Sequence, residues 1–352
     1  MPYSILMLGA SYGSLLATKL VIAGHNVTMI CLPEEAALFN AEGARVRIRP
    51  RGSDSFFEIS SRDGSGTLRA AGPDEVEPSN FDLIGLAMQE PQYRAPAVAD
   101  LLGRIAAARV PTMSIMNMPP LPFLGRVPGL DMAALREAYT DAKVWDDFEP
   151  GLMTLASPDP QATRPPGEPL NLLQVNLPTN FKVAPFEDAA HTAMLRDLER
   201  DVANLRFGPE QIELPVKLRV YDSLFVPMAK WAMLITGNYR CVTADGPQAI
   251  RDAVHGDVAL AGNVYQSVAD LCVKLGADAA DMVPFEKYAK AAESLVNPSS
   301  AARALFGGAA NIERVDRLVG LLARATGITI PTLDATVGIV DSKLRANREQ
   351  AA

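Results

Sequence analysis

The stretch Tyr3-Ser4-Ile5-Leu6-Met7-Leu8-Gly9-Ala10-Ser11-Tyr12-Gly13-Ser14 is followed by Leu15, Leu16 and Leu20 at helical spacing, a stop at Ala23-Gly24-His25, and the β-rich run Val27-Thr28-Met29-Ile30-Cys31. Four apolar residues, a turn of small ones, an apolar 3.6-period pattern and a second apolar run read as strand, tight turn, helix, strand. That order opens a doubly wound parallel sheet. In the three-glycine fingerprint of such turns, Gly9 holds the first place and Ser11 the second, while the third falls on Gly13 in a loop one residue shorter, or on Ser14. Gly13 stands eleven residues before Gly24, which is room for a helix of three turns. A turn of this shape aims backbone N–H groups and a helix N-terminus at a pyrophosphate. Small-residue turns also occur in α/β domains that bind nothing, so the glycines alone leave both readings open.

Composition narrows the classes. The 352 residues suffice for two cores, and 48% hydrophobic with 21% charged residues is the content of a soluble globular protein. A net charge of −8 without a Lys/Arg run argues against nucleic acid or an anionic membrane as partner. Cys31, Cys241 and Cys272 are widely separated, so neither a disulfide framework nor a metal site is expected, and a reducing cytoplasm is the expected location. The apolar N-terminus lacks the basic region of a signal peptide.

Further along, Asp82–Met88 reads as a buried strand, Pro96–Ala108 as a helix and Pro111–Met116 as another strand, with β-rich segments at Arg45–Arg49 and Phe56–Ser60. Alternating strands and helices imply a parallel sheet. Residues 118–170 are proline-rich and read as an irregular loop, after which Leu172–Val175 and Asn180–Val183 read as strands. From His191 the signals are helical: Ala193–Asn204, Leu218–Cys241, Val258–Leu275, Phe285–Glu293, Ile312–Thr326 and Thr332–Leu344. The expected architecture is an α/β, Rossmann-like doubly wound sheet over 1–188 followed by an all-helical domain over 189–352.

Several pieces recur in a recognisable order: the Gly9 turn, Asn117 after the strand Met113–Met116, Lys230 within Met228–Asn238, Ser299-Ser300, and Val315-Asp316 leading to Gly320 and Gly327–Pro331. Together they resemble the ketopantoate reductase (2-dehydropantoate 2-reductase) family, of which the chain is identified as a divergent member. The resemblance implies an NAD(P)-dependent oxidoreductase that moves a hydride between the nicotinamide and a small, carboxylate-bearing carbonyl or hydroxy compound. It implies Lys230 as general acid or base, because an ammonium can stabilise and protonate the alkoxide that hydride delivery leaves. Asn117 would orient the carbonyl beside the cofactor, and Asn238 with Ser299 and Ser300 would hold the substrate. Gly9, Ser11, Tyr12, Gly13 and Ser14, with Leu32, Gln89 and Gln92, take the family's cofactor positions, and a homodimer is implied. Each residue also has a structural reading: a snorkelling lysine, a turn-forming asparagine before two prolines, and an N-cap serine at 299–300.

The chain departs from the family pattern where Leu234 replaces an asparagine four residues after Lys230. The family's active-site glutamate falls on Arg314, which would recognise a carboxylate if it faced the substrate and would be a solvated helix residue if it faced outward. Leu32 stands where an arginine usually meets the NADP 2′-phosphate, with Glu34 and Glu35 slightly late for an NAD-type ribose contact. Gln89 replaces a lysine. These departures argue against ketopantoate itself as the substrate. They also motivate a member of the fold without redox chemistry, such as an isomerase, a lyase or a ligand-binding protein. An opine- or imine-type reductase is a further alternative, although only His25, His191 and His255 could supply its His–Asp pair.

Overall fold

Ile5, Leu6, Met7 and Leu8 have no exposed surface, which a strand achieves when a sheet continues on both sides and helices cover its faces. In the computed structural model, which describes residues 1–49 and 55–351, Ser4–Leu8 pairs in parallel with Asn26–Ile30 on one side and Leu83–Leu86 on the other. The full sheet has eight strands in the order Leu218–Val220, Phe181–Val183, Met153–Ser157, Thr112–Ile115, Leu83–Leu86, Ser4–Leu8, Asn26–Ile30 and Leu68–Ala71. Only the junction of Phe181–Val183 with Met153–Ser157 is antiparallel. A smaller sheet is ordered Phe57–Ser60, Arg45–Ile48, Leu172–Leu177, Gln161–Thr163.

Two compact units emerge. The first comprises residues 1–88, 92–126 and 143–222; the second comprises 89–91, 127–142 and 223–352. The division therefore runs at 222/223 instead of 188, because the helix Ala189–Ala203 buries Met194, Leu195, Leu198 and Val202 in the core of the first unit. The stretch beginning at Leu218, expected as helix, instead forms the edge strand Leu218–Val220 beside Phe181–Val183. The expected loop over 118–170 contains the wholly buried strand Met153–Ser157 and the edge strand Gln161–Thr163. Leu68–Ala71 is a further strand that composition did not mark.

The second unit is helical, as expected. Its longer elements are Val258–Lys274, Val315–Ala325 and Pro331–Ala351, with shorter helices at Ile250–His255, Phe285–Ala292 and Ser300–Phe306. Cys31, Cys241 and Cys272 are free thiols. Among the described residues, no group of side chains could hold a metal ion, and no helix is long and apolar enough to cross a membrane.

Candidate active site

In open parallel sheets ligands bind beyond the carboxyl ends of the strands, and at that end of the first strand the chain turns at Gly9. Its φ of +106° is closed to ordinary L-residues, its N–H donates to the Ile30 carbonyl at 3.0 Å, and a Cβ there would stand 2.7 Å from the Ala87 carbonyl oxygen. At Gly13 a Cβ would stand 2.7 Å from Met7 Cγ, so its absence lets the helix Tyr12–Ile22 lie close on the first strand. Ser14 is buried and donates to the Ser11 carbonyl at 2.8 Å. Exposed Ser11 makes no side-chain cap bond, and the first turn of the helix carries no acid. Its N–H groups and positive dipole end thus suit an anion. The Tyr12 hydroxyl donates to the Pro160 carbonyl at 2.7 Å. Half-buried Asn117 lies two residues past the strand Thr112–Ile115, at the same end of the sheet.

At the end of the second strand, Leu32 is 62% exposed and starts the helix Pro33–Glu42. The Glu35 carboxylate accepts the Leu32 N–H at 3.1 Å and pairs with Arg164 Nη1 at 2.5 Å. Burial, then the nearby Glu35, push the Cys31 thiol up to about 12. Arg164 belongs to the stretch expected as loop and carried no local signal. Gln89 and Gln92 are both exposed; Gln89 groups with the second unit and Gln92 with the first. Between them, Glu90 is a buried carboxylate that accepts from the Thr140 N–H and hydroxyl at 2.9 and 2.8 Å.

In the second unit, half-buried Lys230 begins the helix Lys230–Met233, which continues as a π-helix over Leu234–Tyr239. The expected face of Lys230, Leu234 and Asn238 presumed an α-helix throughout, in which eight residues would carry Asn238 about 80° round the axis from Lys230. The wider π-turn advances less per residue and returns Asn238 toward the Lys230 side. Within this turn a Cβ on Gly237 would clash with the Tyr288 hydroxyl, which donates to the Met233 carbonyl at 3.1 Å. Asn238 is half-buried, whereas Leu234 is 4% exposed and belongs to the core. The Ser299 hydroxyl donates to the Asn238 carbonyl at 2.6 Å and accepts from the Ala302 N–H at 3.1 Å. It therefore caps its helix and fixes the end of the π-turn, while Ser300 is exposed. Tyr239 accepts from the Val315 N–H at 3.1 Å and donates to the Glu313 carbonyl.

Arg314 takes neither of its two expected orientations. It is 8% exposed, its Nε and Nη2 bond the two Asp316 carboxylate oxygens at 2.9 and 3.0 Å, and its Nη1 bonds Asp341 at 2.6 Å. Burial works against its charge, but the two carboxylates prevail and hold the guanidinium firmly protonated. It is a structural ion-pair centre with its fork already filled.

Among the described residues, the histidine that pairs with a carboxylate is His25. His25 Nε2 lies 3.4 Å from Asp201, but His25 immediately precedes the strand Asn26–Ile30 and so stands at the amino end of the sheet. Burial lowers its pKa, with Asp201 opposing.

These observations define a class: a doubly wound parallel sheet whose first turn leads into a helix N-terminus without side-chain cap or acid, and a separate helical unit that carries Lys230. No protein-family model matches the chain, and no curated protein matches it by sequence. Among solved structures, 2-dehydropantoate 2-reductase from Methylococcus capsulatus is 12% identical, with 98% of this chain and 97% of that one covered and a TM-score of 0.67. D-mandelate dehydrogenase, solved with NADH and anilino(oxo)acetate, is 14% identical over 98% and 99% of the chains, with a TM-score of 0.62. A dimeric ketopantoate reductase from Staphylococcus aureus is 11% identical over 98% and 99%, with a TM-score of 0.60. The chain thus has the fold of the ketopantoate reductases along its whole length.

Proposed function

We propose that the protein is an NAD(P)-dependent oxidoreductase of ketopantoate reductase type, interconverting a small 2-oxo acid and its 2-hydroxy acid. The observation that carries this reading is the first turn: a positive-φ Gly9 packed on the Ala87 carbonyl, followed by a helix N-terminus with neither side-chain cap nor acid. Backbone groups of Gly9, Ser11, Tyr12, Gly13 and Ser14 would hold the pyrophosphate, with Leu32, Gln89 and Gln92 as further cofactor contacts. The bound nicotinamide supplies or accepts the hydride. Asn117 would orient the carbonyl, and Lys230 Nζ would give its proton to the alkoxide oxygen as it forms, or take the hydroxyl proton in reverse. Asn238 and Ser300 would hold the polar end of the substrate by neutral hydrogen bonds, a task for which Ser299 and Arg314 are engaged elsewhere. The solved neighbours named for pantoate and mandelate chemistry support a 2-oxo or 2-hydroxy acid, the dimeric neighbour supports a homodimer, and the free thiols suit a cytoplasmic setting.

Calorimetric titration with NADH and NADPH tests this, repeated with Ser11→Asp. Aspartate is a good N-cap, so the helix should persist while its charge opposes the pyrophosphate. Binding that drops at least about tenfold in the variant, with an unchanged melting temperature, is the expected result. A wild-type protein that binds neither dinucleotide would sink the oxidoreductase reading and leave a non-redox member of the fold.

A further inference from the structure

The π-helix Leu234–Tyr239 is held at its end by side chains from far along the sequence. The last carbonyls of a helix lack partners within it, and here the Asn238 carbonyl accepts from the Ser299 hydroxyl at 2.6 Å, 61 residues away. One residue on, Tyr239 is 3% exposed, and its hydroxyl accepts from the Val315 N–H at 3.1 Å and donates to the Glu313 carbonyl. The corner it grips is itself pinned, because Arg314 bridges Asp316 and Asp341 and the Leu318 N–H bonds the Arg314 carbonyl at 2.9 Å. Between these anchors the Asn238 side chain is half-buried and has no hydrogen-bond partner among the described residues. All of these residues belong to the second unit.

We propose that Tyr239 and Ser299 are positioning residues: together they hold the backbone at Asn238 so that its amide, on the Lys230 side of the helix, meets the carboxylate of a bound 2-oxo acid. This rests on the oxidoreductase reading above. Three observations carry it. First, a half-buried amide without a partner has given up hydration without return, and a ligand oxygen would supply the missing bond. Second, Ser299 and Tyr239 fix the chain at Asn238 and at the next residue, so little freedom is left to lose when a substrate arrives. Third, the Tyr239 hydroxyl spends both its donor and its acceptor on the 313–315 corner, which is more than a space-filling ring requires. Burial, then the nearby Asp316 and Glu313, keep that hydroxyl protonated and able to donate.

The test is steady-state kinetics of Tyr239→Phe, Ser299→Ala and Ser299→Thr with pyruvate, 2-oxobutanoate and phenylglyoxylate, beside calorimetric dissociation constants for NADH and NADPH. Tyr239→Phe and Ser299→Ala are each expected to raise KM for the 2-oxo acid about 5- to 50-fold with kcat within about threefold, the sign of lost substrate binding. Dinucleotide affinity should stay within about twofold. Ser299→Thr keeps the hydroxyl and should restore KM, a rescue that loss of packing would not give; it also decides the matter should Tyr239→Phe fail to fold. Unchanged KM in Tyr239→Phe and Ser299→Ala, a fall in kcat with KM unmoved, or a Ser299→Thr variant that behaves like Ser299→Ala overturns the proposal and leaves the oxidoreductase reading standing. A wild type that binds neither dinucleotide and turns over none of the three acids overturns both.

Discussion

Gly9 and Gly237 are both positions where a methyl group does not fit, but the obstruction differs in kind. At Gly9 it includes backbone, the Ala87 carbonyl oxygen 2.7 Å away beside Met88 Cγ at the same distance, and the dihedral angle itself, φ +106°, disfavours other residues. At Gly237 it is the end of a side chain, the Tyr288 hydroxyl, planted on the Met233 carbonyl by a partner 55 residues along the chain. The first turn is therefore dictated locally, by its own backbone and the adjacent strand. The second packs against a residue distant in sequence, a tyrosine bonded to the carbonyl that precedes the π-turn. The two turns also divide the proposed work, the first binding and the second reacting.

That division is broken most directly at Lys230. Lys230→Ala should lower kcat by roughly 10²–10⁴ with dinucleotide dissociation constants unchanged, a split measurable by single-turnover kinetics beside calorimetry; an equal loss of cofactor affinity would show that the two turns do not separate. Next comes Gly9→Ala, expected to cost about 1–3 kcal/mol in denaturant unfolding, with no single side-chain change able to recover it. Gly237→Ala should be destabilising too, but Gly237→Ala/Tyr288→Phe should recover part of the loss, a coupling of about 0.5–3 kcal/mol in a double-mutant cycle. Additive losses in that cycle would mean that Gly237 and Tyr288 are not coupled.

A last effect, one of pH, concerns the last turn of the opening helix. Lys19 is fully buried with no hydrogen-bond partner for Nζ among the described residues. Burial, then the charge of Lys217, lower its pKa from 10.5 to about 7. The unfolded chain thus binds the extra proton between those values, so stability should rise with pH from about 7 to 10.5. Lys19→Met should flatten that slope, so that its gain over the wild type is greatest near pH 7 and fades toward pH 10.5, as read from urea midpoints across the range.

The same contrast explains what could be read from the sequence. The opening strand–turn–helix was legible because its apolar run, its small residues and its helical period all lie within one stretch. The helix Pro96–Ala108 was legible to the residue, with a proline at its start and an amphipathic pattern. Met153–Ser157 was not, because it is a short buried strand amid prolines whose identity is decided by the strands on either side. Leu218–Val220 likewise became a strand only because Phe181–Val183 offered an edge. At the candidate site, Gly9 and Gly13 stood out by type and spacing, and Lys230 by the family resemblance alone. Arg164 was hidden 129 positions from its carboxylate partner Glu35, and Arg314 carried no sign that Asp316 and Asp341 had claimed it. Local patterns announce backbone; long-range pairs announce nothing until the chain has folded.

The way the eight-stranded sheet is threaded has a consequence for biosynthesis. Its outermost strand, Leu218–Val220, is also the last to be made, and the helix that seals its neighbours, Ala189–Ala203, precedes it only slightly. At translation rates of about 5–20 residues per second, the ribosome takes on the order of a few seconds to go from Val183 to Val220. Throughout that time Phe181–Val183 presents an unpaired edge with Phe181 and Val183 open to any passing strand. A nascent chain halted near 188 would expose that edge indefinitely, making this the interval in which a chaperone would matter most.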